Sequence, residues 1–161
     1  MSIEANATHT SPTPGSSLPA TACVVRLAHS RPRLMLVDDN DTFLSAMELL
    51  LPRLFDVEIV ASTASALEAL DRLQSTSVDL VIVDYKMPGL NGLSFVRRAR
   101  QQHYRARILI VTFSPEPTLE KDARECGADG VINKAEIQAG LKDHLHRCFG
   151  CQMRPPTSPL V

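Results

Sequence analysis

Five short apolar runs, separated by segments of helical period, constrain this chain more than any other feature of its sequence. They are Leu34–Val37, Val57–Ala61, Leu80–Val83, Ile108–Val111 and Val131–Ile132. Three of them are continuous rather than alternating, the pattern of strands buried on both faces of a parallel sheet. Between the runs, Phe43, Met47 and Leu50 fall on one helical face, with Pro52 predicted to end that helix. Ala66, Leu67, Leu70 and Leu73 make the stripe of a second helix. A third is predicted over Gly92–His103, capped by Asn91, a fourth over about Pro115–Cys126 before Gly127, and a fifth over about Ala135–Phe149 before Gly150. Strictly alternating strands and helices give a doubly wound α/β fold. No internal repeat interrupts the alternation.

The flanks differ in composition. Residues 1–30 are rich in Ser, Thr, Pro and Ala and read as a disordered arm. Residues 150–161 read as a flexible proline-rich tail, which leaves 31–149 for the folded domain. Seventeen Lys and Arg against eighteen Asp and Glu leave a net charge of -1, so there is no electrostatic case for nucleic acid or a membrane surface. No apolar run reaches the roughly 18 residues of a membrane span. The opening MSIE lacks a basic leader, and four cysteines are too few to suggest a disulfide framework; both point to the cytoplasm. Arginines 97, 98, 100, 105 and 107 read as a solvated helix end. His144, Cys148 and Cys151 could ligate zinc, but structural zinc wants four ligands and no second CxxC exists, so chance placement is the better account.

In a doubly wound fold, ligands sit beyond the carboxyl ends of the strands. Asp38 and Asp39 follow the first run, Asp84 the third and Thr112 the fourth, and Lys134 follows the fifth. Asp41 reads as ordinary helix-start decoration. Crowded carboxylates repel one another and need a counter-ion. Hard oxygen ligands with room for water and a phosphate suit Mg²⁺. One of the carboxylates could then attack phosphorus, while Thr112 and Lys134 take up the phosphoryl oxygens.

Four pieces in order, LMLVDDN, DLVIVDYKMPGLNGL, RILIVTFS and GADGVINK, resemble the receiver domain of two-component response regulators across about Arg31–Phe149. The resemblance implies a flavodoxin-like five-stranded parallel sheet of order 2-1-3-4-5 with five helices. It also implies that Asp84 accepts a phosphoryl group from a sensor histidine kinase or a histidine phosphotransfer protein. Mg²⁺ would be held by Asp38, Asp39, Asp84 and the backbone carbonyl of Lys86, with Asp39 a direct ligand, and Thr112 and Lys134 would bind the phosphoryl group. Output would pass to a downstream protein partner, with no DNA or membrane contact by the chain as it stands and with a homodimer allowed. Beyond its own aspartyl phosphorylation and dephosphorylation, no enzymatic activity is implied.

The chain departs from the family pattern in places. Val131 stands where an aromatic residue is usual, Ala135 where proline often follows the lysine, and bulky Phe113 follows Thr112; Pro115 and Pro117 are expected in the first turn of the fourth helix. Two alternatives remain. One is a haloacid-dehalogenase-type phosphatase, whose opening motif Asp39-Asn40-Asp41 imitates, although Phe43 fits that motif poorly and no late acidic pair follows Lys134. The other is the receiver half of a longer DNA-binding regulator.

Overall fold

The computed structural model describes residues 31–151, 153 and 154. The predicted arm, residues 1–30, lies outside the described residues, as does most of the predicted tail. The elements are β1 (Arg33–Val37), α1 (Asp41–Leu54), β2 (Glu58–Thr63), α2 (Ala66–Ser75), β3 (Leu80–Asp84), α3 (Gly92–Gln101), β4 (Arg107–Thr112), α4 (Leu119–Cys126), β5 (Gly130–Asn133) and α5 (Ile137–Phe149). A 3₁₀ turn, Lys134–Glu136, leads from β5 into α5. All pairings within the sheet are parallel and the strand order is β2-β1-β3-β4-β5, as expected from the resemblance.

The continuous apolar runs are explained by two cores. Successive strand side chains point to opposite faces. Met35, Val37, Val81, Val83, Ile108 and Ile110 therefore pack with α2 and α3 on one side. Leu34, Leu36, Leu80, Ile82, Leu109 and Val111 pack with α1 and α5 on the other. Each fully buried aliphatic chain contributes about 1.5–3 kcal/mol. α5 lies close against β5 because Gly140 has no side chain: a Cβ there would come within 2.7 Å of Ile132.

Several local expectations need correction. The buried stripe of α1 is Leu44, Met47 and Leu51, whereas Leu50 is exposed. Leu67 is exposed as well, and Ala69 takes its place on the inner face of α2. Pro52 does not end α1. It forfeits only its own N–H, and Phe55 N–H closes the helix on Leu51 O at 2.9 Å. β2 runs later than predicted, over Glu58–Thr63, and its pairing with β1 is irregular between Leu34 and Met35. α4 starts at Leu119, so both prolines precede it. Ser114 and Glu116, each followed by proline, are biased away from helical backbone.

Arg100 is not part of a solvated helix end. Its guanidinium donates to Gly127 O, Tyr104 O, Ala106 O and Asp129, and Arg107 pairs with Asp129 as well. The base of the predicted flexible tail is also held. Met153 bridges Phe55, and Arg154 N–H donates to Leu54 O at 2.7 Å.

Candidate functional site

The strand ends predicted to carry chemistry meet at the carboxyl edge of β1, β3, β4 and β5. Asp38 directly follows β1 and Asp84 is the last residue of β3; both are buried. Lys134, on the turn after β5, is 7 % exposed. Its Nζ stands 2.5 Å from Asp38 Oδ2 and 2.6 Å from Asp84 Oδ1. One ammonium therefore bridges two buried carboxylates.

The remaining oxygens are held locally. Asn40 N–H donates to Asp38 Oδ1 at 3.0 Å, and Lys86 N–H donates to Asp84 Oδ2 at 2.8 Å. Asp38 Oδ2 is buried and has the ammonium's charge beside it, but no hydrogen bond of acceptable angle reaches it. Burial pushes the Asp38 carboxyl above its ordinary value. The pull of Lys134 and of the Asn40 N–H is smaller, and the charge of Asp84 adds to the upward push. The chain holds this carboxylate in place at an electrostatic cost.

The surrounding loops follow from local sequence. Asn40 caps α1 by accepting from Phe43 N–H at 3.0 Å, and so orients the segment that carries Asp38 and Asp39. Asn91 caps α3 as predicted, accepting from Ser94 N–H at 2.9 Å. The helix can begin there only because residue 92 is glycine: a Cβ would lie 2.6 Å from Asp84 O. Between these points Met87 and Leu90 turn inward into the core, anchoring the DYKMPGLNG loop.

Not every predicted site residue joins the cluster. Asp39 is exposed at the rim. Among the described residues, no three His, Cys, Asp or Glu side chains are grouped closely enough to hold a metal by themselves. Thr112 is buried at the end of β4, but its hydroxyl accepts from Ser114 N–H at 3.2 Å and so faces its own loop. The Lys86 ammonium reaches Glu116 at 3.6 Å across the mouth of the site. His144 and Cys148 meet at 3.5 Å, while Cys151 donates instead to Asp56 O at 3.6 Å, so the three do not converge.

Two aromatic rings approach the Lys134 ammonium; the sequence points to Phe113 as the large neighbour of Thr112 that could pass its movement to the fourth helix, and gives Phe43 no role at the site. Lys134 Nζ is 4.4 Å from the centroid of Phe43 and 5.2 Å from that of Phe113. The periodicity predicts Phe43 on the inner face of α1, and only its spacing from Asp39 signals more. Phe113 was conspicuous for its size beside Thr112.

The sequence pattern that defines the response regulator receiver domain matches residues 34–146. The chain belongs to the response regulator receiver family. It is similar to the DNA-binding transcriptional activator EvgA of Escherichia coli (strain K12), 29% identical over 102 residues that cover 63% of this chain and 50% of that protein. Among solved structures, it resembles a two-component response regulator of the LuxR family from Aurantimonas sp. SI85-9A1. The TM-score there is 0.68 at 33% identity, covering 73% of this chain and 84% of that one. The Vibrio cholerae chemotaxis protein CheY4 aligns with a TM-score of 0.64 at 26% identity, covering 73% of this chain and 98% of that chain. The receiver spans about half the length of the curated relatives it matches. Receivers are signalling modules rather than enzymes acting on an outside substrate. The phosphatase alternative gives way to this membership, whereas a place within a longer regulator remains compatible with it. No described helix is long and apolar enough to cross a membrane.

Proposed function

We propose that this receiver accepts a phosphoryl group on Asp84 from a phosphohistidine and passes the signal on through protein contacts. The observation that carries the proposal is the bridge of Lys134 between Asp38 and Asp84, at 2.5 and 2.6 Å. Phosphoryl transfer asks the protein mainly for positioning and charge neutralisation. A fixed ammonium beside a carboxylate at a strand end offers both. Asp84 is the acceptor because it ends the central strand β3 and its second oxygen is oriented by Lys86 N–H. In the acceptor step an Asp84 oxygen bonds to phosphorus as the phosphorus–nitrogen bond of the donor imidazole breaks, and the departing nitrogen takes a proton. Thr112 and Lys134 then hold phosphoryl oxygens, which requires the Thr112 hydroxyl to leave its contact with Ser114.

Mg²⁺ fits the residues present. Asp38 Oδ2 is a buried hard oxygen without a hydrogen bond, and Asp39 adds a carboxylate at the rim. With Lys134 already paired, three carboxylates leave two negative charges for a dication to offset. Asp38, Asp39, Asp84 and the Lys86 carbonyl would hold it. When bound, the ion neutralises phosphoryl oxygens and fixes their orientation. The donor is a sensor histidine kinase or a histidine phosphotransfer protein, and the domain comprises residues 31–149 in the cytoplasm. DNA binding, the activity for which EvgA is named, is not assigned to these residues.

The test is incubation with acetyl phosphate and Mg²⁺ followed by intact-mass measurement. One added phosphoryl group is expected on the wild type and none on Asp84→Ala; an adduct that persists in the variant would overturn the assignment. Asp39→Asn should weaken Mg²⁺ binding and phosphorylation together, as read by calorimetry and mass.

A further inference from the structure

The Phe43 and Phe113 rings stand 6.4 Å apart at an interplanar angle of 74°, and both lie within cation–π reach of the same ammonium. Phe43 comes from α1 and is half-buried against the core. Phe113 comes from the loop after β4 and is 64% exposed. An exposed phenyl at the mouth of a charged site gains little from burial in a core. Its ring contacts here are Phe43 and Lys134, so its placement is tied to the site rather than to folding. Lys134 itself is 7% exposed. The Phe113 ring thus stands at the boundary between that ammonium and the solvent.

From this juxtaposition we infer that Phe43 and Phe113 form an aromatic cover over the acceptor site, which slows hydrolysis of the phosphoryl group on Asp84. The inference rests on Asp84 being the acceptor. Hydrolysis needs a water oxygen to bond to phosphorus while the bond from phosphorus to the Asp84 oxygen breaks. The electron pair returns to the carboxylate, and the water's protons pass to phosphate and solvent. A phenyl ring offers that water neither an acceptor for its proton nor a donor to orient it, and it occupies the space a hydration shell would fill. It also keeps the Lys134 ammonium poorly hydrated, so its charge acts more strongly on the phosphoryl oxygens. Phe113 adjoins Thr112 in sequence. Any movement of Thr112 toward a phosphoryl group therefore carries the ring with it, and Pro115 and Pro117 stiffen the segment beyond.

The experiment loads the full chain with acetyl phosphate and Mg²⁺, removes the donor by rapid desalting, and follows loss of the adduct by intact mass. Phe113→Ala should lose the phosphoryl group about fivefold faster than wild type. Phe43→Leu keeps bulk but removes a ring face and should show a smaller acceleration, and Phe113→Tyr should restore the wild-type lifetime. Thermal unfolding of Phe113→Ala should match wild type, because the side chain is exposed, which separates covering from folding. If Phe113→Ala failed to fold, Phe113→Leu would replace it, with an intermediate rate expected. A decay rate in the position-113 variant within about 1.5-fold of wild type, or slower, overturns the cover. An adduct that forms on Asp84 with unchanged lifetime defeats the cover alone, whereas a wild type that takes up no phosphoryl group defeats the acceptor assignment and the cover together.

Discussion

Asp129 and Asp38 sit at opposite ends of the same parallel sheet. Asp129 immediately precedes β5 at the amino edge. It accepts from Arg107 at 2.7 Å, from Arg100 at 3.1 Å and from Ile108 N–H at 2.9 Å. Asp38 follows β1 at the carboxyl edge, where one oxygen accepts a single N–H and the other has only a neighbouring ammonium. The first carboxylate is saturated with donors and stitches α3, β4 and the approach to β5 together. The second is more deeply buried, less well satisfied, and raised in pKa by that burial. The same functional group is thus fully hydrogen-bonded in one place and under-satisfied in the other, and the contrast is what the proposed role of Asp38 rests on.

The comparison can be broken most severely at the amino end. Asp129→Ala would strand the Ile108 N–H and release two guanidinium groups. It should lower stability by roughly 2–4 kcal/mol in denaturant titration while leaving acetyl-phosphate labelling of Asp84 intact. A loss below about 0.5 kcal/mol would mean that the network only decorates the surface.

At the other end, Lys134→Met removes the cation shared by Asp38 and Asp84 and leaves two buried carboxylates facing each other. The variant should fold but melt lower at neutral pH, and millimolar Mg²⁺ should recover more of its midpoint than it adds to wild type. Equal Mg²⁺ responses in calorimetry would argue against the dication sharing this pocket. The phosphorylated variant should also fail to signal to its partner.

Asp38→Asn tests the sign of the electrostatics. A carboxyl whose folded pKa is raised favours folding while protonated, and that advantage is lost as pH rises through its folded value. Ionised Asp38 should therefore cost stability at neutral pH. Replacing it should raise the melting midpoint there, with the gain fading as pH falls to the ordinary carboxylate range. The same change should weaken Mg²⁺ binding. A lower midpoint at pH 7 would show that the ion pair outweighs burial.

The smallest expected effect concerns coupling to the surface. Val131 is short, β-branched and stiff, with no ring to reorient, whereas Phe113 already touches the site through Lys134 and Phe43. Phe113→Ala should reduce the phosphorylation-dependent gain in partner affinity, and Val131→Ala should leave it nearly unchanged. Titration of partner with and without phosphorylation reads the difference, and the reverse ranking would return the switch to β5.

The strands were legible because each is walled on both faces, which turns an alternating pattern into a continuous apolar one. Helix phase was harder to read. Leu49, Leu50 and Leu51 are consecutive, so composition alone does not say which turns inward; the packing chose Leu51. α4 starts later than its sequence suggests because Pro115 and Pro117, each tolerable in a first turn, bias Ser114 and Glu116 before them away from helical backbone. At the site, strand-end position foretold that Asp38, Asp84 and Lys134 would meet. It could not foretell that Asp39 would stay at the rim, that the Thr112 hydroxyl would turn to Ser114, or that two rings would approach the ammonium. Those outcomes depend on side-chain torsions and on loop paths, which no periodicity encodes. The donor set of Asp129 was hidden for the same reason, because Arg100 looked like one more solvated charge.

Asp56 closes a circuit. The Arg31 guanidinium reaches its Oδ1 at 2.9 Å and that of Arg154 reaches the same oxygen at 2.7 Å. The first and last described residues are therefore pinned to one atom, at the pole of the sheet remote from Asp84. A domain whose ends meet in this way is a cassette, which can be inserted into a host loop, or rejoined by a short linker and opened elsewhere, with little disturbance of its core. Whatever polypeptide is spliced to either end departs from this shared anchor. News of events at the far pole can reach such a segment only by crossing the body of the domain or by passing around it through a second molecule.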